Sequence, residues 1–282
     1  MTPARKVALD GGPYGIAAGP DTALWVTLVH DGAIARVTDS GEVAVHPVAP
    51  DCRPSIITVG PDGALWFTRN GDDHIGRITT AGEVSAFELP AGSAPYGITA
   101  GPDGALWFTA MGSGVVARMS VDGEVTETHP VGGAPSMIVT GPDGALWFTL
   151  NQASAIGRLT LAGDLTVRET PTAASGPVGI TATHDDALWF TEIAAERLGR
   201  IPIDDAIQEI ELPGKPHAVI ADASDGVWVT LWGSSQLARV SGDGDIVTID
   251  LPPGSEPHGL AVDAEGAVWV ALEAGHVLRM PT

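Results

Sequence analysis

Three side chains near the C-terminal end have the types needed for cation-assisted proton abstraction. Glu256 and His258 flank Pro257, and Glu273 follows a short way down the chain. Carboxylates suit a hard divalent cation such as Mg²⁺, which keeps several of its waters. A histidine with a pKa of about 6.5 can accept a proton at neutral pH. A second histidine, His217, shares the Pro-His pattern, and Trp232 follows it at the same interval that separates Glu273 from His258. The chain's two tyrosines are Tyr14 and Tyr96, each also directly after a proline. Nucleophilic catalysis has less support. The single cysteine, Cys52, has no partner histidine, and neither Ser55 nor Ser136 sits in a G-x-S-x-G elbow.

These residues lie in a repeat. Trp25, Trp66, Trp107, Trp147, Trp189, Trp228 and Trp269 recur at intervals of roughly 40 residues, the length of a propeller blade. A proline precedes each tryptophan at one constant interval: Pro13, Pro54, Pro95, Pro135, Pro177, Pro216 and Pro257. An arginine follows each at a constant interval, shorter by one only in the last repeat: Arg36, Arg77, Arg118, Arg158, Arg200, Arg239 and Arg279. Each unit reads as four short alternating strands with Gly- and Asp-bearing turns, such as YGITAG, ALWFTA, VVARMS and EVTETHP in the third. A four-stranded unit of this length is a propeller blade. The expected fold is all-β, a seven-bladed β-propeller forming one domain over residues 1–282. The last repeat stops at its third strand, so RKVALD near the N-terminus supplies its outer strand and closes the ring. The recurring Trp, Phe and Arg residues read as scaffold, with the arginines expected to tie adjacent blades.

Function is then expected where repeats differ on one face. The residue after each marker proline opens the innermost strand: Tyr14, Ser55, Tyr96, Ser136, Val178, His217 and His258. Beyond the end of each LWFT-type strand stands a second ring: Val29, Asn70, Met111, Asn151, Ile193, Trp232 and Glu273. Antiparallel pairing of the first two strands predicts Glu273 beside His258 and Trp232 beside His217. Glu256, His258 and Glu273 thus share one corner, with Tyr14, Tyr96, His217 and Trp232 as pocket contacts. The other histidines, His30 among them, fall in turns or outer strands and read as structural.

Composition narrows the partners. A formal net charge of −21 opposes binding to nucleic-acid phosphates and to anionic lipid. No apolar run reaches the roughly 18 residues of a membrane-spanning helix. The first residues show no apolar leader, so a cytoplasmic protein is expected. A closed propeller is self-sufficient, so a monomer is expected.

Taken together, GPYGI at 12–16, APYGI at 94–98, GPVGIT at 176–181, KPHAV at 215–219 and EPHG at 256–259 resemble the streptogramin B lyase (virginiamycin B lyase) family over essentially the whole chain. The resemblance implies a carbon-oxygen lyase that linearises cyclic depsipeptide antibiotics by Mg²⁺-dependent elimination at the ester, a resistance activity. It implies His258 as general base, Glu256 and Glu273 as metal holders and His217 as a substrate contact. The sequence departs from the family after WFT, where only the fifth blade keeps the acid, Glu192, so a less acidic pocket floor is expected. Two other readings stay open: a gluconolactonase-like hydrolase, for which Asn70 and Asn151 would be metal-site candidates, and a non-catalytic NHL-like binding scaffold.

Overall fold

A computed structural model of the chain describes residues 5–202, 205–223 and 226–280. Residues 1–4, used in the leader argument, residues 203, 204, 224 and 225, and the C-terminal Pro281 and Thr282 lie outside the described residues. Among those described there are 28 strands and no helix, arranged as seven four-stranded antiparallel sheets. Blade one comprises Pro13–Ala18, Leu24–Leu28, Ala33–Val37 and Val43–Pro47, running outward from the channel. Blade seven comprises Pro257–Val262, Val268–Leu272 and His276–Arg279, completed by Arg5–Ala8. Arg5 pairs with Arg279 and Ala8 with His276, so the N-terminal strand closes the ring as the repeat phase predicts. Deleting residues 1–10 should expose the edge of His276–Arg279 and lower the melting temperature and solubility together. An unchanged melting curve would contradict this closure.

The second strand of each blade is sandwiched between neighbouring blades. Leu24–Leu28 is buried at all five positions, whereas its outer neighbour Val43–Pro47 is largely exposed. Six of the seven marker tryptophans are at most 3% exposed, and Trp228 is half-buried. Among the described residues the ion pairs of the marker arginines lie within their own blades and do not tie adjacent ones. Each reaches an aspartate in the first hairpin of its own blade, as in Arg36–Asp21 and Arg158–Asp143 at 2.7 and 2.6 Å. The same carboxylate accepts from the marker indole in five blades, for example Trp25 Nε1 to Asp21 Oδ1 at 3.0 Å. Burial raises the pKa of these carboxyls, and the indole and guanidinium hydrogen bonds outweigh it, leaving Asp21 and Asp143 below the ordinary carboxylate range.

The tie between blades is the threonine of the WFT motif. Thr27, Thr68, Thr109, Thr149 and Thr191 each donate to the backbone carbonyl of the ring residue in the next blade, at 2.5–2.8 Å. Thr191 in this way anchors the backbone of His217. In four blades the residue two after the marker proline is a glycine (Gly15, Gly97, Gly179 and Gly259), and there the innermost strands approach too closely for a side chain. A Cβ on Gly259 would fall 2.5 Å from the Tyr14 carbonyl oxygen. Glycine there lets the last and first blades meet at the seam.

Candidate active site

Every innermost strand carries a register shift after its marker proline. In blade seven, Pro257 pairs with Leu272, but Leu260 pairs with Val270, so the inner strand holds one extra residue. The other six blades repeat this bulge. A bulge re-aims side chains off the strand alternation, and here it falls on the ring residues and the residue after each, which is Gly259 in blade seven and Ala218 in blade six. The residue before each proline has positive φ, 49° at Glu256 and 57° at Lys215. This backbone kink belongs to the repeat; the particular side chains mounted on it differ from blade to blade.

In the seventh blade the arrangement brings His258 Nε2 to 2.5 Å from Glu273 Oε2. The Glu273 amide donates to the Glu256 carbonyl at 3.1 Å, which sets both acids on paired backbone positions at one rim. His258 is 6% exposed, and Glu256 is open to solvent. The other oxygen of Glu273, Oε1, lies 2.9 Å from His30 Nε2. His30 follows the second strand of blade one and is the neighbour that sequence reasoning set aside. The hydrogen bond from His258 is the main influence lowering the Glu273 pKa. Burial opposes it, and the charges on His258 and His30 assist.

Tyr14, Tyr96 and His217 stand at the adjoining mouth of the channel. The Tyr14 and Tyr96 hydroxyls are 2.7 Å apart, bridging blades one and three, and Tyr14 OH is 3.5 Å from His217 Nε2. The Tyr14 ring lies 4.3 Å from the His258 ring, and the His217 ring meets His258 edge-on at 4.8 Å. Burial, then Tyr96, raises the Tyr14 pKa well above its ordinary value, so it is a neutral phenol. Burial and the neighbouring His258 lower the His217 pKa to about 3 despite Glu273, so its imidazole is neutral at physiological pH. Behind these residues lies a central cavity of about 220 Å³, lined by all seven inner strands.

Other expected contacts resolve differently. Trp232 packs against Lys215, whose Nζ is 5.5 Å from its ring, and among the described residues it has no ring contact with His217. Ser55 is turned onto the Arg53 carbonyl, and Ser136 is 1% exposed. Asn70 and Asn151 donate to the Pro95 and Pro177 carbonyls of the following blades, each at 3.3 Å, and do not gather into a central metal site.

Glu192 is not on the pocket floor. It is fully buried, and neither carboxylate oxygen has a hydrogen-bond partner among the described residues. Burial, with the charge of Glu209 added, raises its pKa to about 8 against the pull of Arg197. A carboxyl whose folded pKa is raised contributes stability below its unfolded pKa, and this is lost as pH rises toward the folded value. Glu192→Gln should therefore raise the melting temperature relative to wild type at pH ~8 more than at pH ~5. Equal effects at both pH values would show that Glu192 is charged in the fold.

The carboxylates fit a hard cation. Glu256 and Glu273 supply oxygen donors on paired positions, Glu256 has no side-chain partner among the described residues, and no thiolate is near. Among the described residues no group of three or more ligating side chains forms a cage. The donor set thus suits a weakly held, largely hydrated ion.

Fold and site together define a seven-bladed propeller with an acid–imidazole cluster at one channel mouth. The chain matches the virginiamycin B lyase family over residues 4–280 and belongs to it. It is 73% identical over 281 residues to the virginiamycin B lyase of Mycolicibacterium smegmatis, covering 100% of both chains. It is 74% identical over the same length, with the same coverage, to that of Mycobacterium sp. strain KMS. Among solved structures, a streptogramin B lyase superposes with a TM-score of 0.93 at 35% identity, covering 98% of this chain and 96% of that one. A catalytically inactive Staphylococcus aureus virginiamycin B lyase with quinupristin gives a TM-score of 0.93 at 36% identity, covering 98% of each chain.

Proposed function

We propose that this protein linearises cyclic depsipeptides of the streptogramin B type by elimination at the ester bond. Family membership supports the lyase class, and the observation that carries the chemistry is the His258–Glu273 contact at 2.5 Å on the open rim. His258 removes the proton from the carbon next to a carbonyl. That electron pair forms a carbon–carbon double bond to the β-carbon, and the β-carbon–oxygen bond breaks to release the ester's carboxylate. No protein nucleophile is consumed, which accords with the inward-turned Ser55 and the buried Cys52.

Glu256 and Glu273 are the residues that would hold Mg²⁺. When bound, the ion supplies positive charge that acidifies the substrate's carbon and stabilises the charge developing in the transition state. Glu273 also governs the base. A carboxylate accepting from Nε2–H leaves the imidazole lone pair on Nδ1, which is buried and without a partner among the described residues. Proton acceptance at Nε2 therefore requires the tautomer with the N–H on Nδ1 and release of Nε2 by Glu273, so cation binding by Glu273 and the readiness of His258 are linked.

The neutral His217 and the Tyr14–Tyr96 hydroxyl pair are suited to hydrogen-bond a substrate carbonyl or hydroxyl. A cavity of about 220 Å³ is smaller than the ~300 Å³ at the low end of drug-sized pockets. A macrocycle would thus lie across the rim, reaching Trp232 on its Lys215 support. The ring closes on itself through Arg5–Ala8, and a monomer is the proposed form.

The test is loss of a cyclic streptogramin B substrate by the purified protein with Mg²⁺, with a chelator, and after Mg²⁺ is restored. Turnover should stop on chelation and return, with circular dichroism constant throughout. Undiminished turnover in chelator would remove the cation from the scheme, and loss of the dichroism signal would make it structural.

A further inference from the structure

Resting on that reading of Glu273, we propose that His30 is a positioning residue that fixes the Glu273 carboxylate across the seam where the ring closes. His30 belongs to blade one and Glu273 to blade seven, and Nε2 lies 2.9 Å from Oε1. His258 takes the opposite oxygen, Oε2, at 2.5 Å. One carboxylate is therefore held at both oxygens by imidazoles from two blades, which fixes its plane as well as its position.

The contact is built into the local backbone. The His30 amide donates to the Gly11 carbonyl at 2.9 Å, and Val29 donates to Gly12 at 3.0 Å, zipping the loop to the chain before Pro13. The ring lies directly over Gly12, where an added Cβ would come within 2.3 Å of His30 Cδ2. Five of the six equivalent positions carry side chains: Arg53, Ala94, Ala134, Lys215 and Glu256. The space over Gly12 is thus what admits the imidazole.

Stability does not explain the pair. The His30 side chain is 62% exposed, and an exposed ion pair adds little to folding. What it does is restrict a carboxylate that is itself only 21% exposed and touches the proposed base. Without His30, Glu273 keeps one anchor and can rotate about its side-chain bonds. Groups that orient a metal-binding side chain typically govern ~10–100-fold in metal affinity or activity.

The test compares wild type, His30→Ala and His30→Gln, whose amide can still donate to Oε1. Because the imidazole is exposed, both variants should fold. Mn²⁺ binding to the metal-free protein is titrated by electron paramagnetic resonance. His30→Ala should bind about 10-fold more weakly, and His30→Gln should return close to wild type. In parallel, histidine side-chain ¹⁵N NMR of metal-free protein follows the His258 Nε2 signal, which should shift in His30→Ala and be restored in His30→Gln. Wild-type Mn²⁺ affinity in His30→Ala overturns the proposal. If wild type itself binds no Mn²⁺, the cation reading of Glu273 fails separately, and the His258 signal then decides for His30: shifted and restored upholds its positioning role, unmoved refutes it.

Discussion

His258→Ala should lower kcat by about 10²–10⁴, the usual worth of general-base catalysis, while KM changes little. The geometry gives the reason for this split. His258 lies against Tyr14 and His217, which contact substrate in the proposed scheme and remain in the variant. Glu256 and Glu273 also remain, but Glu273 loses its Oε2 partner, so the Mg²⁺ concentration for half-maximal activity should rise about 10-fold, as for loss of the His30 anchor. Steady-state kinetics at several Mg²⁺ concentrations check both statements. A variant turning over at the wild-type rate would remove His258 from the chemistry and leave the fold assignment untouched.

Glu273→Gln should give the complementary pattern. The amide keeps an oxygen that can accept from His258 Nε2, so the imidazole stays in place. It loses the negative charge that favours a divalent cation. The Mg²⁺ concentration for half-maximal activity should rise about 10–100-fold, with a fall in kcat of comparable size even at saturation. Titration of activity against Mg²⁺ reads this directly. An unchanged Mg²⁺ dependence would show that Glu273 serves only to orient His258.

The repeat made the fold legible because seven copies report the same strand boundaries and the same phase. It also placed Glu273 beside His258, since antiparallel pairing of Pro257 with Leu272 sets the start of the first strand against the end of the second. The parts that were not legible depend on side-chain direction. The marker arginines could reach their own blade or the next. The aspartate in the first hairpin, already shared with the indole, draws them inward, as in Arg36–Asp21. The interblade role fell to a short threonine whose hydroxyl sits at the blade contact, as Thr191 does at the His217 carbonyl. Trp232 is expected near His217, and its amide bonds to the Lys215 carbonyl two residues before that histidine; the side-chain detail is that the long Lys215 cation covers the indole. Glu192 looked like a pocket acid, yet its place at the end of a sandwiched second strand buries it completely.

His30 was missed for a related reason. It lies one position beyond the ring residue Val29, and its path to Glu273 joins the first blade to the last across the closure. Blade one next to blade seven follows from the ring. That its loop imidazole would turn across the seam depends on the missing Cβ of Gly12, a feature visible only once the loop is seen packed on it.

Elimination and hydrolysis of the ester are told apart by the product formed in H₂¹⁸O. A cyclic streptogramin B is incubated with the protein and Mg²⁺ in labelled water, and the mass of the linear product is measured. Elimination rearranges bonds without adding atoms, so the product should have the mass of the substrate, carry no ¹⁸O and contain a new carbon–carbon double bond. A product heavier by one labelled water would identify a hydrolase and contradict the mechanism assigned to His258 and Glu273.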